Sequence, residues 1–252
     1  MRDALARDGT LHLGGIIAPM PGHSADAAAA QAEAVFDALE ARIAAAGAAL
    51  TDLCKITMQI TDRAFRQPVY GVMGRRLAGV RPVSTGLIVS GLDSPHAVFQ
   101  LDALAVPRAP RDGPHERIRP YRSTSMPYGR GRQPFVAEFC MAVRTPRQVF
   151  LRGQTGQTLD GAFVGAGDPA AQARQAMDNV TALLAEAGCT LADAVHATVF
   201  VTDRAFIGPV MQVVAGRFAA QPVAHALLVV KGLAAPEIAM EIDVHAVRSD
   251  VG

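Results

Sequence analysis

The chain of 252 residues lacks any surplus of charge: 24 Lys and Arg against 23 Asp and Glu leave a net charge of +1. Such a balance gives no bias toward nucleic acid or an anionic membrane surface. Tryptophan is absent and cysteine is scarce, with only Cys54, Cys140 and Cys189. An odd number of thiols without metal-ligand spacing argues against a disulfide framework or a zinc site, and fits reduced thiols in a cytoplasm. No apolar run is long enough to span a bilayer, and the opening MRDALARDGT has no apolar leader core. Half of the residues are hydrophobic and 19% are charged, which suits a globular protein.

What the chain does have is a repeat. Residues 47–65 read GAALTDLCKITMQITDRAF and residues 188–206 read GCTLADAVHATVFVTDRAF, identical at 9 of 19 positions without a gap. The spacing is 141, and it also pairs Gln31 with Gln172, Pro68 with Pro209, and Gly91-Leu92 with Gly232-Leu233. A period of this size is a whole small domain rather than a solenoid unit. The chain therefore reads as a fused duplication, with domains at 1–106 and 135–252.

Each copy carries the same order of elements. In copy two, AEFCMAVRT and QVFLRG read as strands joined at Pro146-Arg147. Asp168-Pro169 supplies a helix start, Val180, Leu183, Leu184 and Ala187 follow at helical spacing, and Gly188 ends the helix. HATVFVT is a strand, a second helix runs from about Asp203 to Ala219, and HALLVV and MEIDVHAV are strands. In the last, Met240, Ile242, Val244 and Ala246 alternate with Glu241, Asp243 and His245, the period of a half-buried strand. In copy one, Ser24 opens a helix carrying Val35, Leu39 and Ile43, and its first strand is shortened. Between the copies, residues 107–134 hold six prolines, three glycines and seven arginines, the composition of a linker with little regular structure. It reads as a solvated tether or as a basic arm over a site for an anionic substrate.

The phrases GQTGQTLDG, AQARQAMDNV, LLAEAGCTLADAVHATVFVTD and MEIDVHAV, in this order of elements, resemble the Rid (YjgF-type) enamine/imine deaminase family. The resemblance implies an α+β fold: two tandem chorismate-mutase-like domains, each a mixed sheet with two helices on one face. It implies ligand clefts where domains meet, hydrolysis of enamines or imines to keto acids and ammonia, and neither metal nor organic cofactor. Three such domains form a ring in this family. Three chains supply six domains, so a homotrimer is expected.

The resemblance also places site residues. The family's arginine, within a Pro-Ala-Arg-Ser/Thr phrase, holds the substrate carboxylate, and it is missing from both copies. Ser84 stands there in copy one. In copy two, counting from Pro222 gives Ala224, and counting back from the shared Gly-Leu gives His225, the register preferred here because a one-residue slip reverses every side chain. The family's late-strand glutamate corresponds to Glu241, with Gln100 in copy one, and its serine to Arg152. Its first-strand aromatic corresponds to Phe139, followed by Cys140. Arg152 is then the expected carboxylate anchor, Glu241 the holder of water and His225 the proton carrier, with Phe139 and Cys140 beside the substrate. Cys140 also suits a small buried hydrophobe, and His12, His23, His96, His115 and His196 look like loop or surface residues.

Two functions follow. One is a hydrolase for an enamine or imine of an unsaturated amino or keto acid, 2-aminomuconate-like substrates included, working in clefts lined by copy two with copy one as wall. The other is a non-catalytic protein that binds a small carboxylate-bearing metabolite, or a scaffold. Ribonuclease activity finds no support in charge or residue constellation.

Overall fold

The structure, a computed structural model, describes residues 4–5, 9–109, 113–124, 127–128, 131–132, 135–221 and 223–249. Pro222 of the register argument, and parts of the N-terminal segment and the linker, lie outside them. In the first domain the order is β1 (Leu11–Ile17), α1 (Ala25–Ala45), β2 (Leu53–Ile60), α2 (Arg66–Arg76), β3 (Val83–Ile88) and β4 (Phe99–Ala105). The second begins with β5 (Glu116–Ile118), β6 (Tyr121–Arg122), β7 (Glu138–Phe139), β8 (Ala142–Arg144) and β9 (Gln148–Leu151). It continues with α3 (Pro169–Glu186), β10 (Ala194–Val201), α4 (Ile207–Arg217), β11 (Ala224–Val229) and β12 (Met240–Val247).

Sheet one runs β1-β4-β2-β3, extended at β1 by the short strand Ala4–Leu5, and sheet two runs β11-β10-β12-β9-β8-β5. Each has one parallel pair, β2 with β3 and β10 with β11. This is the expected α+β architecture, doubled. The helices start where the sequence supplies caps: Ser24 accepts from the Ala27 amide, and Asp168 from the Ala171 amide with proline behind it. Even the shared glutamines have one role. The Gln31 side-chain amide donates to the Met20 and His96 carbonyls and its oxygen accepts from the Val98 amide. Gln172 repeats the device with Gly165, Glu237 and Ala239. Each therefore ties a helix to the loop before the last strand, where unpaired backbone groups would be costly.

Period-two patterning sets the layers. Ile56, Met58 and Ile60 of β2 face the first helix-covered core, and Met240, Ile242 and Val244 of β12 face the second. The opposite faces, with Lys55 on β2 and Asp243 on β12, turn toward each other, and the two side chains form an ion pair of 3.0 Å between the domains. Apolar clusters at Cys54, Val83, Cys140, Val143 and Phe150, and at Leu87, Phe200, Val230, Leu233 and Ile238, seal this contact. Backbone pairing between Ile88 and Gly232, at 2.8 and 3.1 Å, joins the outer edge of β3 to the second domain.

Three local expectations change. Residues 137–145 are two strands, because β7 leaves the sheet to pair with β6 and only β8 pairs with β9. The stretch read as having little regular structure contributes β5, which edges sheet two along β8, and β6. The second helix of each copy begins with a 3-10 turn, Arg63–Phe65 and Arg204–Phe206, capped by Asp62 and Asp203. Among the described residues no helix is long and apolar enough to cross a membrane.

Candidate active site between the domains

A cleft at the domain boundary is lined by Arg66, Tyr70, Ser84 and Gly86 of the first domain and by Arg152, Ala234 and Glu241 of the second. Tyr121 and Ser123 of the segment between the copies, with Phe135 and Phe139 at the start of copy two, cover it. The volume open to a water-sized molecule within it is about 30 Å³, room for about two waters with the side chains as they stand.

Each side chain is placed by backbone pairing. Arg152 follows β9, and its amide donates to the Met141 carbonyl at 2.9 Å. Gly153 then donates to the Ser84 carbonyl at 3.3 Å, across the domain boundary, and Gln154 pairs with Ile242. Only glycine fits at 153, since a Cβ there would lie 1.8 Å from Oε1 of Glu241. Glu241 sits on β12, in register with Phe200 of β10, and is buried. The Arg66 guanidinium lies 4.5 Å from the Tyr70 ring centroid and 5.5 Å from that of Phe135, and the Arg152 guanidinium 5.7 Å from that of Tyr121. Aromatic faces attract these cations.

Burial pushes the Glu241 carboxyl up to about 8, reinforced by the neighbouring Asp243 charge and opposed by Arg152, Lys55 and Arg66. Near neutral pH the cleft therefore holds a carboxylic acid flanked by two guanidiniums. The Tyr121 hydroxyl is also held above its ordinary range, first by burial. Chemically, such a cleft can bind an anion and give it a proton.

The structure brings Arg152, Glu241 and Phe139 together, and leaves two expected residues elsewhere. His225 is exposed on β11, the outer strand of sheet two, with Nδ1 3.4 Å from its own neighbour, the Val223 carbonyl. The ladder pairs it with Ala197 as it pairs Ser84 with Ile56, so the two positions are equivalent in register. Yet β3 is covered by the second domain and β11 is not, so only Ser84 reaches a cleft. Cys140 is buried in the interdomain cluster, its Sγ 3.1 Å from the Arg81 carbonyl and its thiol pushed up to about 12 by burial. It is therefore packing, not a substrate contact. Nor is copy one a mere wall, because it supplies Arg66, Tyr70 and Ser84. His115 is buried, with Nε2 on the Val106 carbonyl at 2.7 Å, rather than at the surface. No cluster of three metal-ligating side chains occurs among the described residues.

Arg66, Tyr70, Tyr121, Ser123 and Phe135 escaped the sequence reading. The signal for the first two was a difference between copies: at the spacing of 141, Arg66 faces Ile207 and Tyr70 faces Met211.

Comparisons with known proteins agree with this architecture. A family model described as Endoribonuclease L-PSP matches residues 131–248. A chorismatase crystal structure superposes with a TM-score of 0.69 at 20% identity, covering 98% of this chain and 79% of its own. A YjgF-family member from Mycobacterium tuberculosis is 33% identical over 44% of this chain and 86% of its own, with a TM-score of 0.40. The E. coli YjgF gene product is 27% identical over 53% of this chain and 98% of its own, with a TM-score of 0.42. No curated protein matches. Single-domain relatives thus account for about half of the chain, the chorismatase plan accounts for nearly all of it, and the chain belongs to the YjgF (Rid) family as a tandem pair of its domains.

Proposed function

We propose that this protein is a hydrolase of small, carboxylate-bearing molecules with an electron-rich double bond, an enamine or imine in the first instance. The observation that carries the reading is the convergence of the buried Glu241 with Arg66 and Arg152 in one cleft, where burial pushes the Glu241 carboxyl up to about 8. With 2-aminoacrylate, Arg152 holds the carboxylate and the Glu241 carboxyl gives its proton to the terminal carbon. The double bond becomes the C=N of an iminium. Water then adds to the iminium carbon and returns a proton to Glu241. The nitrogen of the resulting carbinolamine takes that proton from Glu241 and leaves as ammonia, the hydroxyl gives its own proton back to Glu241, and pyruvate remains. The net change is addition of one water and loss of one ammonia.

Two arginines favour a substrate with two carboxylates, such as 2-aminomuconate. The full-length structural neighbour is named a chorismatase, and chorismate is a dicarboxylate with an enol ether, which opens by the same first protonation. The test is to supply 2-aminoacrylate, 2-aminomuconate and chorismate, and to follow ammonia and keto-acid release. Arg152→Ala should raise KM about ten- to a hundred-fold, the loss of a charge-assisted contact of roughly 1.5–3 kcal/mol. No acceleration of any of them, together with tight binding of a dicarboxylate, would favour the ligand-binding reading.

The reading includes self-association in a cytoplasmic setting. Leu228 and Val229 on β11 are 49% and 44% exposed, whereas their duplicates Leu87 and Ile88 on β3 are buried by the second domain. A second copy covering β11 is expected, three chains being the assembly that six domains suggest, and light scattering that gives the mass of one chain would overturn this.

A further inference from the structure

Beside the cleft, and outside it, lies a buried polar cluster that binding and proton transfer do not use. Asp243 follows Glu241 by two residues on β12, so the two carboxyl groups leave the same face of the sheet. One Asp243 oxygen accepts from the Thr85 hydroxyl at 2.5 Å, and the other lies 3.0 Å from Nζ of Lys55. The Lys55 ammonium also donates to the Thr85 hydroxyl at 3.2 Å and to the Leu151 carbonyl at 3.2 Å. Lys55 and Thr85 belong to the first domain, whereas Asp243 and Leu151 belong to the second.

A buried ion pair rarely repays its desolvation, and an apolar contact of the same shape would seal the domains as well. The duplicated halves sharpen the point. The equivalents of Lys55 and Thr85 in copy two are His196 and Ala226, and the equivalent of Asp243 in copy one is Asp102. Asp102 accepts instead from the Gly15 amide and the Gln59 side chain, beside Gln100, which has no acidic proton to hold. Of these two duplicated positions, the one next to the glutamate carries the ion pair across the domains and the other does not. We infer that Lys55, Thr85 and Asp243 are positioning residues: the first domain clamps the Asp243 carboxylate beside Glu241, so that the contact between the domains sets the charge the acid faces.

This inference rests on the reading of Glu241 as the acid, but its test needs no substrate. The charged and titratable groups facing Glu241 are Asp243 on its own strand, Arg152 after β9, Lys55 on β2, Arg66 on α2 and Tyr121 on β6. Of the charged neighbours, Asp243 has the larger influence and the three cations oppose it. The Glu241 carboxyl is titrated in the whole protein by infrared difference spectroscopy, its C=O band assigned by its loss in Glu241→Gln. Asp243→Asn should lower the midpoint by about one pH unit or more. Lys55→Met with Asp243→Asn removes the pair together, leaves no buried charge unmatched and keeps the test open if the single variant fails to fold. It should lower the midpoint by less, because an attractive charge goes with the repulsive one. A midpoint unmoved in both variants, with the assigned band present, would overturn the inference. If the midpoint shifts but no substrate is turned over, the positioning stands and the hydrolase reading falls.

Discussion

Glu241→Gln is expected to lower kcat by about 10²- to 10⁴-fold, the usual worth of a positioned general acid, while leaving KM nearly unchanged. Glutamine keeps the shape and the hydrogen-bonding capacity of the protonated acid, so the cleft should still bind. What it loses is the transferable proton. The pH profile sharpens the expectation. The carboxyl is pushed up to about 8, chiefly by burial. In the proposed mechanism its acid form gives the proton, so kcat of the native protein should hold from weakly acidic pH to neutrality and fall as pH rises through about 8. The variant's residual rate should lack that fall. Steady-state kinetics between pH 5 and 9.5, with the substrate's own spontaneous hydrolysis subtracted, reads both effects. A kcat unchanged in the variant would remove Glu241 from the chemistry, whatever its protonation.

The asymmetry of the two copies concentrates this chemistry in one place. At the spacing of 141, Arg66, Tyr70, Ser84 and Gly86 face Ile207, Met211, His225 and Leu227. The positions of Arg152 and Glu241 are taken in copy one by Gly14 and Gln100: Ile16 pairs Leu101 as Gln154 pairs Ile242. Each domain has kept one half of a cleft and lost the other. A fused pair is then better suited than two separate chains, since the fusion places the surviving halves against each other. The duplicate surface on β11 retains apolar side chains but neither arginine nor acid, so its expected use is contact rather than catalysis.

The sequence made the fold legible because both of its signals are local. Alternation in MEIDVHAV and the caps at Ser24 and Asp168 need no knowledge of the partner domain, and the repeat doubled each observation. Arg152 and Glu241 were reached through the family resemblance, as the positions that match its motifs. His225 lies apart from this cleft because equivalence in register does not imply equivalence in surroundings: within one chain its strand is an exposed edge, whereas that of Ser84 is covered. Cys140 is the small buried hydrophobe its sequence also suited, because β7 departs from the sheet at that point and leaves it in interdomain packing. Tyr121 was hidden by a Pro- and Arg-rich composition that describes solvated tethers, and Phe135 stands directly after it. Here that segment carries Tyr121 into the cleft and an edge strand onto a sheet. A site made from two domains and their connection is fixed by tertiary contacts that no window of sequence contains.

Stability should respond to Glu241→Gln in the opposite sense to activity. In the unfolded chain the Glu241 carboxyl loses its proton in the ordinary glutamate range, near 4.3. In the folded protein it keeps that proton until about 8. Between those values the folded state binds more protons than the unfolded one, so unfolding free energy falls as pH rises. Below the window the group costs nothing, and above it the full penalty of a buried charge applies. Across the window Glu241 alone should remove about 3–5 kcal/mol, a large part of a domain's net stability. Glu241→Gln has no proton to lose there. Urea unfolding of the native protein and the variant at pH 5, 6, 7, 8 and 9 should give curves that start close together and separate, with the variant the more stable by several kcal/mol at the alkaline end. Parallel curves would mean that the carboxyl titrates normally and that burial is relieved by motion or water. A residue whose loss abolishes turnover yet strengthens the fold at alkaline pH is one that the fold carries at a cost. A structural hydrogen-bonding glutamate, removed in the same way, would weaken the protein at every pH.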